Sequence, residues 1–387
     1  MKIVQAANFV APSSGGIKTV LEALGRGYRA AGHERVLVVP GPTDADEDTP
    51  AGRRISVRSP RLAGSGGYRV IVDRGKVRRL LEDLAPDRLE VSDRLTLVGL
   101  GAWAREHGVP STVISHERLD ALLAERSGRA APTRRAADGW NRRLAANFEH
   151  VVCSTRWAAE EFLRIEARNV VRVPLGVDLD AFSPGQADHA LRARFAAPGQ
   201  PLLVCVGRLA PEKRPHLAVE AVRALRRRGV DVALVYAGEG PLRPALERVA
   251  AGLPVTFLGY VADRPTLAAL LASADVALTP GPVETFGLAA LEALASATPV
   301  VSARRGAIAE LLGPGVGVPT FSHPSAVAGA LREVLSWDPD ARRAAARRRA
   351  ERYPWSATVA RMLAVHAMGS PAPVRRGAAL LVEAATR

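Results

Sequence analysis

PLLVCVGRLAPEKRPHLAVEAVRALRRRGVDVALVYAG, residues 201–238, carries the pattern that decides the fold. PLLVCVG (201–207) is an apolar run ending in glycine, which suits a strand buried on both faces. RPHLAVEAVRALRRRG (214–229) is amphipathic at helical spacing and also ends in glycine. DVALVYAG (231–238) is a second apolar run. Two buried strands joined through a helix form a parallel unit, because a tight hairpin cannot connect parallel neighbours.

The same alternation extends in both directions. Upstream lie KIVQAA (2–7), RVLVVP (35–40), RLEVS (88–92), STVISH (111–116) and VVCS (151–154). Downstream lie VTFLG (255–259), DVALTP (275–280) and PVVSA (299–303). The pattern restarts near residue 200, after RVPLGVDLDAFSP (172–184), whose Pro, Gly and Asp suit a crossing between domains. The expected fold class is α/β, with two doubly wound Rossmann-like domains facing each other across a cleft. Their expected bounds are 1–176 and 177–355. A helix at about 356–368 is expected to pack back on the first domain, and the Pro-, Ala- and Arg-rich tail, 369–387, is a candidate for disorder. A chain of 387 residues fits two such cores.

Composition removes several classes. With 48% apolar and 24% charged residues, the chain is neither disordered nor a small disulfide scaffold. It has no run of about 18 apolar residues, so no spanning helix is expected. MKIVQAANF reads as a first strand and not as a secretory signal. Cys153 and Cys205 sit in buried runs and read as inert thiols of a reducing cytoplasm. No Cys/His cluster supports zinc. The net charge is +14, from 53 bases and 39 acids. Between Arg53 and Arg79, nine bases (Arg53, Arg54, Arg58, Arg61, Arg69, Arg74, Lys76, Arg78 and Arg79) meet one acid, Asp73, a net +8. Such a field is expected to attract an anionic membrane surface or acceptor. RRAAARRRAERY (342–353) reads as a solvated helix face. The 5% aromatic content and the lack of a recognition motif argue against nucleic acid as the partner.

Four segments carry residue types suited to chemistry. In ETFGLAALE (284–292), Glu284 is placed in the loop leaving a strand, and Thr285, Phe286 and Gly287 are expected to open a helix. The first amides and the dipole of such a helix suit a phosphate. Gly287 would let a ligand approach the backbone. Glu292 falls about two turns on, roughly 80° around from Glu284. Both carboxylates would accept hydrogen bonds from sugar or ribose hydroxyls, or are ordinary solvated glutamates at a helix start. In GRLAPEK (207–213), Arg208 and Lys213 stand at a strand's carboxyl end, where they would neutralise a diphosphate or simply be exposed cations of a surface loop. Gly15 and Gly16, between the first strand and its helix, permit close backbone approach to an anion or simply a tight turn. His116 ends STVIS, placed to orient a hydroxyl or share a proton, or to serve as an ordinary loop histidine. GRGYRA (25–30) and GLGAWA (99–104) match a loose dinucleotide fingerprint but fall inside helical patterns. Asp44-Ala45-Asp46 is read as part of an acidic loop and Asp178-Leu179-Asp180 as part of the crossing; neither is read as a metal site.

The Gly-Gly pair, VPLGVD (173–178), GRLAPEK, GEGPL (238–242) and ETFGLAALE together resemble the retaining glycosyltransferases of the GT-B class, family four. VQAANF, EVSDRLTL, REHGV, ISHERLD, LLASADVAL and PGPVETFGLAALEALA resemble the actinobacterial GDP-mannose-dependent phosphatidylinositol mannoside mannosyltransferases. The resemblance implies GDP-mannose as donor and an inositol-phosphate glycolipid as acceptor, with no obligatory cofactor or divalent metal. It implies a cytoplasmic enzyme, peripheral at the inner face of the plasma membrane. Arg208 and Lys213 would hold the donor diphosphate, with Gly16 against it from the other domain. Glu284 would bind the transferred sugar, aided by the amides of Phe286, Gly287 and Leu288. Glu292 would bind the ribose, while Val261 and Asp263 of GYVAD would cradle the base, Asp263 being a candidate guanine contact. His116 would sit beside the reacting sugar. Retention implies same-face attack, with the leaving phosphate taking the acceptor proton. Alternatives are a UDP-sugar transferase acting on a soluble acceptor, a sugar-nucleotide epimerase of the same fold, and a basic nucleic-acid-binding protein.

Overall fold

The alternating pattern resolves, in a computed structural model, into two parallel sheets flanked by helices. The structure describes residues 1–10, 15–62, 67–127, 130–368 and 382–383. It divides into Met1–Leu175 with the chain from Trp355 onward, and Gly176–Pro354.

The first unit runs β1 (Lys2–Ala7), α1 (Gly16–Ala30), β2 (Glu34–Gly41), β3 (Ala45–Thr49), β4 (Gly52–Arg58), α2 (Arg74–Leu84), β5 (Arg88–Ser92), α3 (Leu100–Glu106), β6 (Ser111–Ser115), α4 (Leu119–Ser127), α5 (Ala130–Asn147), β7 (His150–Cys153), α6 (Arg156–Leu163) and β8 (Val170–Arg172). The second runs α7 (His189–Ala193), β9 (Leu202–Val206), α8 (His216–Arg226), β10 (Ala233–Ala237), α9 (Arg243–Ala250), β11 (Val255–Gly259), α10 (Arg264–Ser273), β12 (Val276–Thr279), α11 (Leu288–Ala295), β13 (Val300–Ala303), α12 (Ile308–Leu311), β14 (Gly317–Thr320), α13 (Pro324–Ser336) and α14 (Pro339–Ala350). The chain then returns to the first unit through α15 (Trp355–Ala367). Of the tail, only Val382–Glu383 is described, as a short strand β15 parallel to β8; the remainder lies outside the described residues.

The first sheet has the order β15-β8-β7-β6-β5-β1-β2-β4-β3, and the second β11-β10-β9-β12-β13-β14. The second sheet is wholly parallel, and in the first only β3 runs antiparallel to its neighbour. The order of strand addition reverses between β1 and β5, and between β9 and β12. Ligands of doubly wound sheets bind at these reversal points, outside the carboxyl ends of the strands.

Burial explains the strands. β9 and β10 are apolar throughout, and Leu203, Leu234, Tyr236, Val276 and Leu278 join one core with the buried face of α8 (Ala218, Val219, Ala221, Val222 and Leu225). α8 stops where Gly229 adopts φ +74° and Val230 N–H returns 3.1 Å to Leu225 O. That left-handed glycine closes the helix's last carbonyls. Cys153 and Cys205 are buried in these cores, and burial pushes the Cys205 thiol up to about 12, so both are protonated at neutral pH.

Three sequence expectations change. Of Asp44-Ala45-Asp46 only Asp44 is in a loop: Ala45–Thr49 is an edge strand laid antiparallel on β4. β4 itself, GRRISVR, alternates buried and exposed positions beneath its arginines and was hidden by their charge. RRAAARRRAERY is not a solvated face. Arg342 donates to Val334 O at 2.8 Å, Arg343 to Ala272 O at 2.6 Å, Arg347 to Ala295 O at 2.8 Å and Arg349 to Leu311 O at 2.7 Å. These carbonyls close α13, α10, α11 and α12. Helix carboxyl ends carry unpaired acceptors and partial negative charge, which recruit guanidinium groups.

Candidate active site

Gly207 leaves β9 at φ +146°, and its N–H donates 3.1 Å to Ala237 O. Leu209 N–H donates 3.0 Å to Glu239 O, and Leu242 N–H 3.0 Å to Leu209 O. A Cβ on Gly238 would lie 1.9 Å from Gly207 O, and one on Gly240 2.5 Å from Leu209 O. Backbone thus presses on backbone, and GEG fixes the GRLAPEK loop. The sequence reading used GEGPL only as part of a resemblance; its signal was two glycines flanking one residue at a strand's exit.

On that loop, Arg208 is exposed and pairs with Glu212 at 2.5 Å. Lys213 Nζ donates to Glu284 Oε1. The exit of β12 rests on the turn at Pro211–Lys213, since a Cβ on Gly281 would lie 2.9 Å from Lys213 Cα. The switch point between β9 and β12 therefore brings together Arg208, Lys213 and Glu284, three of the expected residues.

The expected helix start is corrected. α11 begins at Leu288, and Thr285, Phe286 and Gly287 precede it. Gly287 is its left-handed N-cap at φ +85°, and a Cβ there would lie 2.4 Å from Ile308 Cγ1. Backbone conformation and packing on Ile308 require this glycine. Phe286 is buried, its ring edge-on to Tyr353 at 6.3 Å, so it anchors the loop. The 80° relation between the two glutamates does not apply, because Glu284 lies outside the helix. Glu292 is nearly buried, and burial pushes its carboxyl up to about 7, opposed by the Arg264 guanidinium 3.8 Å away.

Val261, half-buried, and Asp263 follow β11. Asp263 caps α10, accepting from Thr266 N–H at 2.8 Å and Thr266 Oγ1 at 2.5 Å. These bonds hold its carboxyl below the usual range. Arg264, which no motif marked, lies 4.9 Å over the Phe182 ring and beside Glu292.

In the first unit the corresponding edge carries Gly15, Ser92, Asp93 and His116. Gly15 is the exposed N-cap of α1, with Gly16 as first helical residue; a Cβ on Gly15 would meet nothing within 4 Å. Packing therefore does not demand this glycine. His116 Nε2 lies 2.9 Å from Ser92 Oγ. Burial pushes its imidazole down to about 4, so it is neutral at pH 7 and acts as a hydrogen-bonding group. Asp93 is buried: one oxygen accepts from Leu95 N–H (3.0 Å) and Leu97 N–H (2.8 Å), while the other has no partner among the described residues. Arg94 is held by Glu161 at 2.7 Å and by Asn141. No motif marks Ser92, Asp93 or Arg94 in the sequence; their roles appear only from these contacts. Among the described residues no His, Cys, Asp and Glu are grouped to hold a metal.

The model of the glycosyl transferase 4-like domain matches residues 15–176, and that of the glycosyl transferases group 1 matches residues 200–336. The GDP-mannose-dependent alpha-(1-6)-phosphatidylinositol dimannoside mannosyltransferase of Mycobacterium tuberculosis is 49% identical over 94% of this chain and 95% of its own. This chain belongs to the group 1 glycosyltransferases. A GDP-mannose-dependent alpha-mannosyltransferase of Mycolicibacterium smegmatis is 31% identical over 81% of this chain and 82% of its own. Sucrose-phosphate synthase from Thermosynechococcus elongatus shares the fold, with a TM-score of 0.73 at 20% identity, over 95% of this chain and 98% of its own. The fold of this glycosyltransferase is thus of the GT-B type.

The basic stretch of the glycosyltransferase changes in meaning. Acids on and beside β3 partly neutralise it: Arg53 pairs with Asp46 at 2.7 Å, Arg54 with Glu47 at 3.5 Å and Lys76 with Asp44 at 2.6 Å. Arg58 N–H donates to Asp44 at 2.8 Å, and Arg69 to Ser59 O at 2.5 Å. Counted from Asp44 to Arg79, nine bases meet five acids, a net +4 rather than the +8 counted from Arg53. Arg61, Arg74, Arg78 and Arg79 are exposed, without a carboxylate partner among the described residues.

The His116 environment has a consequence for stability. The unfolded chain takes up a proton near pH 6.5 that the folded glycosyltransferase refuses until about pH 4. This contribution is complete above the unfolded value and shrinks as pH falls through that window. Urea unfolding at pH 7.5 and 5 is expected to show a smaller acid loss in His116→Gln than in the parent. Equal losses would remove this role.

Proposed function

We propose that this glycosyltransferase moves mannose from GDP-mannose onto a phosphatidylinositol mannoside-type glycolipid, with retention of anomeric configuration. The observation that carries the reading is the Lys213–Glu284 pair at the switch point between β9 and β12, directly before α11. Its chemistry suits a sugar diphosphate: a cation for the phosphate, a carboxylate for sugar hydroxyls, and the first amides of α11 close behind in the chain. The M. tuberculosis relative, 49% identical over 94% of this chain and named for GDP-mannose and a phosphatidylinositol dimannoside, supports the choice of donor and acceptor class.

In this reading Arg208, Lys213 and the Leu288 amide stabilise charge growing on the leaving GDP. Glu284 orients the mannose, Glu292 the ribose, and the Val261–Asp263 segment the base. Residues 177–355 take the donor. Residues 1–176, with the helix near 356–368, take the acceptor, with neutral His116 beside the reacting sugar, while Gly15 and Gly16 are assigned to the donor. The leaving phosphate accepts the acceptor proton, so no protein nucleophile or divalent metal is assigned. Calorimetric titration with GDP, UDP and ADP tests the nucleotide. A donor screen with extracted actinobacterial lipids, read by mass spectrometry, tests the transfer. Tighter binding of UDP, or hexose transfer only to soluble acceptors, would overturn it.

The reading also places the glycosyltransferase peripherally on an anionic membrane. No helix among the described residues is long and apolar enough to cross one. Neutralising Arg61, Arg74, Arg78 and Arg79 is expected to weaken anionic-vesicle binding by about 1 kcal/mol per residue. Neutralising Arg53 and Arg54, already paired, should cost less. Equal binding of the parent to neutral and anionic vesicles would contradict this placement.

A further inference from the structure

The carboxyl edge of the second sheet is rich in cations, and most of them are paired. Beyond β9, Arg208 meets Glu212 and Lys213 meets Glu284. Beyond β10, Arg243 meets Glu239 at 2.6 Å and Glu247 at 2.8 Å. Beyond β11, Arg264 meets Glu292. Beyond β13 the pattern changes. Arg304 and Arg305 leave the strand together, both exposed, and neither has a carboxylate partner among the described residues.

Their backbone is well fixed. Arg304 N–H donates 2.6 Å to Thr320 O at the end of β14. Gly306 follows at φ +123°, where a Cβ would stand 3.0 Å from Pro282 O. Ala307 N–H then donates 3.0 Å to Glu284 O. The arginine pair is thus tied through main-chain contacts to the loop that carries the sugar-binding carboxylate. The Arg304 guanidinium lies 5.2 Å from the centre of the Phe321 ring, itself 65% exposed. Stacking on an aromatic face orients a guanidinium while leaving its N–H fork available. Two unneutralised guanidinium groups, on a backbone tied to the Glu284 loop, suit a phosphate monoanion.

We propose that Arg304 and Arg305 form an anion subsite that takes the phosphodiester of the acceptor and so selects phosphate-bearing acceptors. This deepens the proposed function and rests on it. The donor diphosphate has its own cations, Arg208 and Lys213, one loop away, so this pair serves a second anion.

The test compares the parent with the Arg304→Gln/Arg305→Gln double variant. The acceptors are a deacylated, water-soluble phosphatidylinositol dimannoside and a phosphate-free mannoside. Because the first carries the phosphodiester without a lipid chain, it separates the headgroup from a membrane surface. The ratio of kcat/KM for the phosphorylated over the phosphate-free acceptor is expected to fall about tenfold, the loss of charge-assisted hydrogen bonds. An unchanged ratio overturns the proposal, as does a variant whose main defect is weaker GDP binding, since the pair would then serve the donor. A loss seen only with acceptor in anionic vesicles also overturns it, assigning the arginines to the lipid surface. Binding of glycerophosphoinositol is a separate readout. If the parent transfers no mannose, the proposed function fails. The subsite is then judged by whether the double variant binds that headgroup about tenfold more weakly or equally well, the second result overturning it.

Discussion

Glu284→Ala is expected to keep its affinity for GDP within a few-fold and to lower kcat by roughly 10²–10³-fold, the scale seen when one preorganised group at the reacting centre is removed. The carboxylate stands at the exit of β12, on the Lys213 ammonium, and the proposed function assigns it to the hexose. Its proposed contacts are to sugar hydroxyls and not to the nucleotide, so binding of GDP should survive while turnover collapses. Calorimetry for GDP and initial rates for mannose transfer check the two halves separately. A variant that turns over within threefold of the parent removes Glu284 from the mechanism. Loss of GDP binding together with rate would instead mark the residue as a support for the loop.

Lys213→Ala is expected to be as damaging and to act differently. The ammonium would meet the leaving diphosphate, whose charge grows in the transition state, so kcat should fall roughly 10²-fold or more while GDP binding weakens about tenfold. Because Lys213 and Glu284 are bonded to each other, their losses should not add. The double variant is expected to be little worse than the more damaged single one. Strict additivity would mean that the two side chains act on separate events. Arg208→Ala should cost less, since Arg208 is more exposed and shares its guanidinium with Glu212.

Much of this molecule was legible in its residues. The buried strands announced themselves as short, mostly apolar runs alternating with helical patterns, and their bounds shift by no more than two residues at either end. The strands that escaped were those without such runs. β3 is all acid and threonine after its first alanine, β4 carries three arginines, and β8 and β14 have three and four residues. Reading β4 as a bare charge run also concealed its acidic partner strand, and with it half of the neutralisation. The candidate site was legible only as residue types at strand exits. Its geometry was not, because the left-handed turn at Gly287 depends on Ile308, 21 residues on. The same limit hid Gly238 and Gly240, whose reason lies in a carbonyl contributed by another loop. The arginines of α14 were misread for a related cause: a helix sequence shows its own charges and not the carbonyl ends of the helices packed around it.

The most direct test of the central claim is a crystal structure with GDP bound. The account predicts the two phosphates within hydrogen-bonding reach of Arg208 and Lys213 and of the Leu288 amide, with the ribose at Glu292. A diphosphate seated away from the β9 and β12 exits, leaving Lys213 on Glu284, would contradict it.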